Sequence, residues 1–374
     1  MKFNNALRMN RLLVFLSAGF FVYLLSFLHS CKKETVVIDE NPPVPSTGVS
    51  VDLTTVPYAK LSQYRFFQGA MKDQSPADRV IPYAPATPLF TDYAKKRRFI
   101  WLPNGTVSTY SADNALLDLP VGAALIKTFY YDNVQPGNTT RIIETRVMIR
   151  KSTGWIFAEY VWNDAQTEAF LDMDGSYTSV TWDQGGVTKT VSGYRIPSAT
   201  ECLICHKKNA QPIPIGIKAQ NLNTPYTYSD GTQNQLQKLI SVGYLQDNLP
   251  ASIVSTVNYL DASQSLDLRL RSYLDANCAH CHAEGSHCDY RPMKLAFTET
   301  ANPVNLGLCV PPDEYINASL INILTPTNIN KSMMHFRLNS TEAGVRMPLL
   351  GRSIKHDEGV QLLEEWITAK LDCN

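Results

Sequence analysis

Two five-residue segments hold most of the chemistry this chain has to offer: Cys202-Leu203-Ile204-Cys205-His206 and Cys278-Ala279-His280-Cys281-His282, both of the form Cys-x-x-Cys-His. Two thiols three positions apart reach the two vinyl groups of one haem and form thioethers, and the histidine that follows lies under the iron as an axial ligand. The pattern predicts two covalently attached haem c groups, tethered by Cys202 and Cys205 and by Cys278 and Cys281, with His206 and His282 as the proximal iron ligands. Other uses of thiol pairs compete. Zinc-binding pairs usually stand about 15–20 residues apart, whereas 73 positions separate Cys205 from Cys278. A dithiol redox pair leaves both histidines unused, and structural disulfides would suit an exported protein.

The second motif has elements that can position it. Ser263 to Asn277 (SQSLDLRLRSYLDAN) predicts a helix running into Cys278, and Asp357 to Leu371 predicts a closing helix with Val360, Leu363, Trp366, Ile367 and Leu371 at three- and four-residue steps. Arg346-Met347-Pro348 stands between them. Helix, Cys-x-x-Cys-His, Met-Pro, helix resembles the cytochrome c domain, and that resemblance makes Met347 the distal ligand of the second iron. A thioether there raises the haem potential. Met333, Met334 and His335 are rivals, although Met333-Met334 reads better as helix packing. The first motif follows the strand-like Gly193-Tyr194-Arg195-Ile196-Pro197, with neither Met nor His between Lys207 and Asn277. Its sixth ligand is then remote (His280, His287, His335, His356 or Met293), or water, or absent.

The stretch 51–197 is strand-like: Arg98 to Leu102, Ala124 to Tyr131, Ile143 to Arg150 and Gly154 to Trp162, broken by turns at Pro103-Asn104-Gly105, Pro136-Gly137, Asp174-Gly175 and Gly185-Gly186. Short strands at this spacing predict an antiparallel β-sandwich-like domain. It contains no His and no Cys, so it offers little to metal or nucleophile catalysis. Asp164, Glu168, Asp172 and Asp174 read as a solvated loop, and Asp172-Met173-Asp174-Gly175 as a turn. The expected organisation is α+β and multidomain: a β-rich domain over 51–197, a first haem-binding segment over 198–262 and a mainly α, cytochrome c-like second haem domain over 263–374.

Lys2, Arg8 and Arg11 precede an apolar run from Leu12 to Leu28, and Leu28-His29-Ser30-Cys31 resembles a bacterial lipobox. The resemblance implies a lipoprotein signal over 1–30, acylation of Cys31 and a tether over 31–50. An uncleaved anchor or an ordinary signal peptide is the alternative, and each reading puts the chain outside the cytoplasm. Lys+Arg and Asp+Glu both number 34 in 374 residues, without a basic stripe, which excludes a nucleic-acid binder. Hydrophobic residues at 44% against 18% charged exclude a disordered chain. Of the remaining cysteines, Cys288, Cys309 and Cys373, one pair is expected as a disulfide, and Cys288–Cys309 closes a loop inside the second haem segment.

Taken whole, the chain resembles a family of exported bacterial dihaem c-type cytochromes. The resemblance is carried by Ile81-Pro82-Tyr83, Pro88 to Phe99, Trp162 to Ala169, Glu201 to His206, Asn277 to His282 and Arg346-Met347-Pro348 with Gly351. It implies an electron carrier, anchored by lipid in the periplasm or at the outer membrane, passing single electrons between extracytoplasmic redox partners. The rivals are a dihaem peroxidase or other haem oxidoreductase with an open first haem, and a non-haem surface lipoprotein stapled by zinc or disulfides.

Overall fold

Aromatic and β-branched residues in alternation build the larger element. In a computed structural model that describes residues 48–373, eight strands join into one antiparallel sheet. They are β1 (Ile81–Pro82), β2 (Lys95–Trp101), β3 (Ala124–Val134), β4 (Thr139–Lys151), β5 (Gly154–Trp162), β6 (Ala169–Leu171), β7 (Ser176–Gln184) and β8 (Val187–Ile196). The hydrogen-bonded order is β8-β7-β3-β4-β5-β6, with β2 also on β3 and β1 on β2. The expected sandwich is thus one continuous sheet. The reason lies in β3, whose first seven residues pair with β2 while Val134 at its end pairs with Trp182 of β7. Both groups of strands hang on that single long strand. The apolar run Leu12–Leu28, the expected lipidation site at Cys31 and the 31–47 part of the expected tether lie outside the described residues.

Because side chains alternate across a strand, the two faces of β2–β5 carry different cores. Phe99, Ile126, Val147 and Ala158 point to one side, against Leu61, Tyr64, Phe66 and Val80 from the segment before the sheet. Ile100, Leu125, Met148 and Phe157 point to the other, where Ile217, Leu222, Leu236, Leu239 and Tyr244 cover them. Ile217 lies just before helix α2 (Ala219–Leu222), and the others come from α2, from α3 (Gln235–Ser241) and from the turn that follows.

Seven α-helices are found among the described residues, and apart from α2 and α3 they serve the two cysteine motifs: α1 (Ala199–Cys205), α4 (Leu266–Asn277), α5 (Pro303–Leu306), α6 (Met333–Asn339) and α7 (Asp357–Ala369). The two predicted helices of the second motif are α4 and α7, within a few residues of their expected ends. Ser265 caps α4 by accepting from Leu268 N, and Leu270 and Leu274 one turn apart are buried against Val360, Leu363, Trp366 and Ile367 of α7. The fold is mixed α+β, and residues 48–374 form one compact unit. Bonds cross the expected segment boundaries: Asp92 in the loop before β2 accepts from Ser353 N, Ser353 Oγ and Ile354 N, and Asn277 Oδ1 accepts from Phe90 N. No helix of the described residues is long and apolar enough to cross a membrane.

The disulfide joins Cys309 to Cys373 rather than to Cys288. Cys288 is buried, and its backbone N–H is spent on the carbonyl of Cys281, which pins it beneath the second motif. Cys373 follows α7 and is carried back over the core to Cys309. Closing 64 residues is worth about 4 kcal/mol in the chain-entropy limit. Peptide mapping without reduction is expected to recover a Cys309–Cys373 peptide pair with Cys288 unpaired, and Cys373→Ser to lower urea-unfolding stability by up to about that amount. Recovery of a Cys288–Cys309 pair would contradict the fold described here.

Candidate functional site

The first motif rides on a helix of its own. Ser198 Oγ accepts from Glu201 N, and the Glu201 carboxylate accepts from Ser198 N at 2.8 Å, a capping box that starts α1 directly after β8. Arg195 at the end of β8 donates its Nε and Nη2 to Glu201, the shortest bond being 2.6 Å. The hydrogen bonds from Arg195 above all, and those from Ser198, hold the Glu201 carboxyl below its ordinary range. Cys202 and Cys205 lie one turn apart on α1, and His206 ends it. A hairpin of Lys207–Lys208 and Gln211–Pro212 then folds the chain back, so that Ile213 N donates to His206 O and the His206 ring donates Nδ1–H to Ile213 O at 3.0 Å. This bond fixes the tautomer and leaves Nε2 as a lone pair without a partner among the described residues. Burial keeps the imidazole neutral, its pKa pulled down to about 3. The edge of Phe157 sits against the ring, centroids 5.2 Å apart.

Cys202, Cys205 and His206 border a cavity of about 810 Å³, inside the ~300–1,000 Å³ range of small-molecule and cofactor sites. Its wall includes Met148, Phe157 and Met173 from the sheet and the loop after β6, and Ala279, His280 and Pro348 from the second-motif region. The β-rich half, in which the sequence offered no His or Cys, therefore supplies one side of this cavity and two thioethers.

The second motif continues the last turn of α4, with Cys278 N bonded to Leu274 O and His282 N to Cys278 O. Cys278, Cys281 and His282 line a second pocket together with Met293, Met333, Met334 and Met347. Met347 is held there through its backbone, its N–H on Arg337 O and its carbonyl accepting Arg352 Nε. Arg352 is buried and also donates to the carbonyls of Arg337, Leu338, Ser340 and Ile354, which locks the loop around Met347. Burial brings the His282 pKa down to about 4, and its Nδ1 is buried with no hydrogen-bond partner.

The two motifs meet. Cys281 Sγ–H donates to Cys205 Sγ at 3.9 Å, and the ligand atoms of Cys205, Cys281 and His280 lie within 4.8 Å of one another. The hydrogen bond from Cys281 holds the Cys205 thiol well below its usual range and pushes Cys281 up. Burial pushes Cys202 up to about 11 and Cys278 up to about 12. Sequence separation had counted against a shared metal site, but the folded chain removes that objection by bringing the 205 and 281 positions together.

Of the expected remote ligands for the first motif, His280 alone borders the larger cavity. His335 Nε2 is tied to Glu364 at 2.7 Å. His356 has both ring nitrogens on tyrosines, Nε2 with Tyr259 and Nδ1 with Tyr273, and stacks on Phe90 at 4.0 Å. His287 is exposed, and Met293 belongs to the second pocket. Met333 and Met334 start α6, as the sequence suggested, yet they also line that pocket.

The donor sets fit haem at both motifs: two thiols and one neutral imidazole each, with a thioether at the second. The space differs. The larger cavity has the needed volume, whereas the second pocket, about 120 Å³, falls below the lower end of about 300 Å³ for cofactor sites. It would have to widen by displacing Met293, Met333 and Met334, which are unbranched and adaptable. Comparison with family models, with curated proteins and with solved structures finds no match to this chain.

Replacing Ser198 by Ala removes one side of the α1 capping box, a change that costs about 0.5–2 kcal/mol. Glu201→Gln tests the other side through pH. A carboxyl lowered in the folded state contributes stability above its unfolded pKa and loses it as pH falls through the folded one. The stability gap between wild type and Glu201→Gln, read from urea unfolding, is thus expected to be full at pH 7 and to close as pH falls below the ordinary carboxylate range. A gap that does not change with pH would remove the charge from the account.

Proposed function

We propose that this chain is an extracytoplasmic dihaem c-type cytochrome that passes single electrons between redox partner proteins and is anchored to a membrane by lipid on Cys31. Cys202 and Cys205 tether the first haem and Cys278 and Cys281 the second. His206 and His282 are the proximal ligands, and Met347 is the distal ligand of the second iron. A haem supplies a one-electron couple whose potential its ligands and surroundings set. The protein's part is to fix the imidazole, bury the group and hold two of them close. The observation that carries this reading is that both Cys-x-x-Cys-His motifs open onto adjoining cavities, with His206 anchored through Nδ1 on Ile213 O and Met347 lining the pocket of His282. Support for a cytochrome c-like second segment comes from α4 and α7, which flank the motif in sequence and pack together. The 3.9 Å approach of Cys205 and Cys281 sets the attachment points side by side, which suits rapid exchange between the two haems.

A second reading is favoured by one observation. Cys205, Cys281 and His280 converge closely enough to hold one soft metal ion, such as zinc.

Expression in a host competent for cytochrome maturation separates them. The cytochrome reading expects a band that stains for haem after boiling in denaturant and two haems per chain by pyridine haemochrome. A colourless protein carrying one zinc per chain, lost in Cys281→Ser, sinks it. Met347→Ala is expected to abolish the methionine-to-iron charge-transfer band near the red edge of the spectrum while both haems stay attached. If the band survives, Met347 is not the ligand.

A further inference from the structure

Strand register lines up four charged residues that lie far apart in the sequence. Arg98 of β2 stands opposite Lys127 of β3, Lys127 opposite Arg146 of β4, and Arg146 opposite Glu159 of β5. The four form one row across the sheet, on the face that looks toward α1, and all four line the larger cavity. Apolar rows flank it on that face, with Leu125, Met148 and Phe157 on one side and Phe129 on the other.

The row is not balanced. Arg146 bridges two carboxylates, Glu144 at 2.7 Å and Glu159 at 3.0 Å, and Glu144 also accepts from Tyr194 Oη. Arg98 and Lys127 make no ion pair and no side-chain hydrogen bond among the described residues. Lys127 has only the faces of an aromatic ring, its Nζ 4.8 Å from the Phe129 centroid. The nearby Lys96 spends its ammonium on the carbonyl of Leu89. Of the cavity's other cations, Lys218 is matched by Asp275, Arg195 by Glu201 and Lys294 by backbone carbonyls, while Lys208 is exposed to solvent. Its remaining acids, Glu284 and Glu299, are exposed. Both side chains are part-buried in the cavity wall, where a poorly solvated cation without an anion is costly, and desolvation accordingly lowers the pKa values of both Arg98 and Lys127.

We propose that Arg98 and Lys127 form an anion subsite in the sheet wall of the larger cavity, and that its occupant is carboxylate, supplied by the propionates of the haem attached at Cys202 and Cys205. This rests on the cytochrome reading. The chemistry of the group agrees with the layout: its vinyls are taken by the cysteines of α1 on one side of the cavity, and its carboxylates lie on the opposite edge of the porphyrin. Arginine and lysine are the side chains suited to such anions, arginine through its planar fork. A free carboxylate entering the cavity is the other source of the same chemistry.

The test uses the full chain matured in a haem-loading host, as wild type, Arg98→Gln, Lys127→Gln and the charge-keeping Lys127→Arg. Haem content is measured by pyridine haemochrome and the two midpoint potentials by spectroelectrochemical titration. Loss of a nearby positive charge favours the oxidised iron. The proposal expects the potential of one haem to fall in both neutral variants while the other stays put, and Lys127→Arg to behave as wild type. Loss of only the haem on the 202–206 peptide in the neutral variants also supports it. Two haems at unchanged potentials in both neutral variants overturn it. Oxalate is the probe for the other source: a saturable spectral or thermal shift in wild type, absent from Lys127→Gln, assigns the subsite to a free carboxylate and overturns the propionate assignment. Wild type without haem defeats the cytochrome reading itself, an outcome recognised from haem content before any potential is measured.

Discussion

The alternation of side chains along β2–β5 is the constraint on which the rest depends. Each of these strands must bury Phe99, Ile126, Val147 and Ala158 on one face, and that requirement fixes the register to the residue, since a slip of one would turn the apolar set outward. Once fixed, the register dictates what the other face presents: an apolar band, then Arg98, Lys127, Arg146 and Glu159 in line, then the aromatic patch around Phe129, Tyr131 and Trp182. Helix α1 and its thiols are delivered to this face by β8, and its start is secured by Ser198, Glu201 and Arg195. Packing on one side of the sheet therefore decides chemistry on the other.

The pair of buried carboxyls in that wall shows how the sheet tolerates charge. Glu144 keeps its proton off because Arg146 and Tyr194 serve it, despite the desolvation that opposes ionisation. Burial first, and then the neighbouring Glu144 charge, push the Glu159 pKa up, and the two acids share one arginine. The paired groups thus lie at the Arg146–Glu159 end of the row, and the cations without a carboxylate partner at the Arg98–Lys127 end.

Much of this was legible in the sequence, for identifiable reasons. Helix α4 announces itself through Leu266, Leu268, Leu270 and Leu274 on one broad face and α7 through apolar residues at three- and four-residue steps, and β5 emerged at its expected bounds because Gly154–Trp162 is rich in aromatic and β-branched residues. The cysteine motifs are local and need no tertiary knowledge. What stayed hidden was everything set by strand partners. Lys127 and Glu159 are charged residues set among apolar neighbours and Arg98 ends the basic run Lys95-Lys96-Arg97-Arg98, signals that say nothing of a shared row, which exists only through pairing over dozens of residues. Met173 was read as part of a turn. That turn does form, through Asp172 accepting from Asp174 N and Gly175 N, and it also carries the thioether to the cavity wall. The Cys309–Cys373 pairing was hidden because the path of the chain after α7 cannot be inferred from spacing.

Asp92 stands at the seam between the sheet and the segment that follows Met347. Its carboxylate takes two backbone N–H groups and a hydroxyl from Ser353 and Ile354, while Arg352 one residue earlier gathers five carbonyls, that of Met347 among them. The grip is mechanical as much as electrostatic, since it ties a loop of the β-rich half to the backbone that presents Met347. A 263–374 fragment cut from the rest would lack that hold, along with the stacking of Phe90 on His356 and the Phe90 N–H on Asn277. The second motif is thus not a module that travels alone. The β-rich half is its chassis, and its surroundings should respond to changes made some 260 residues upstream.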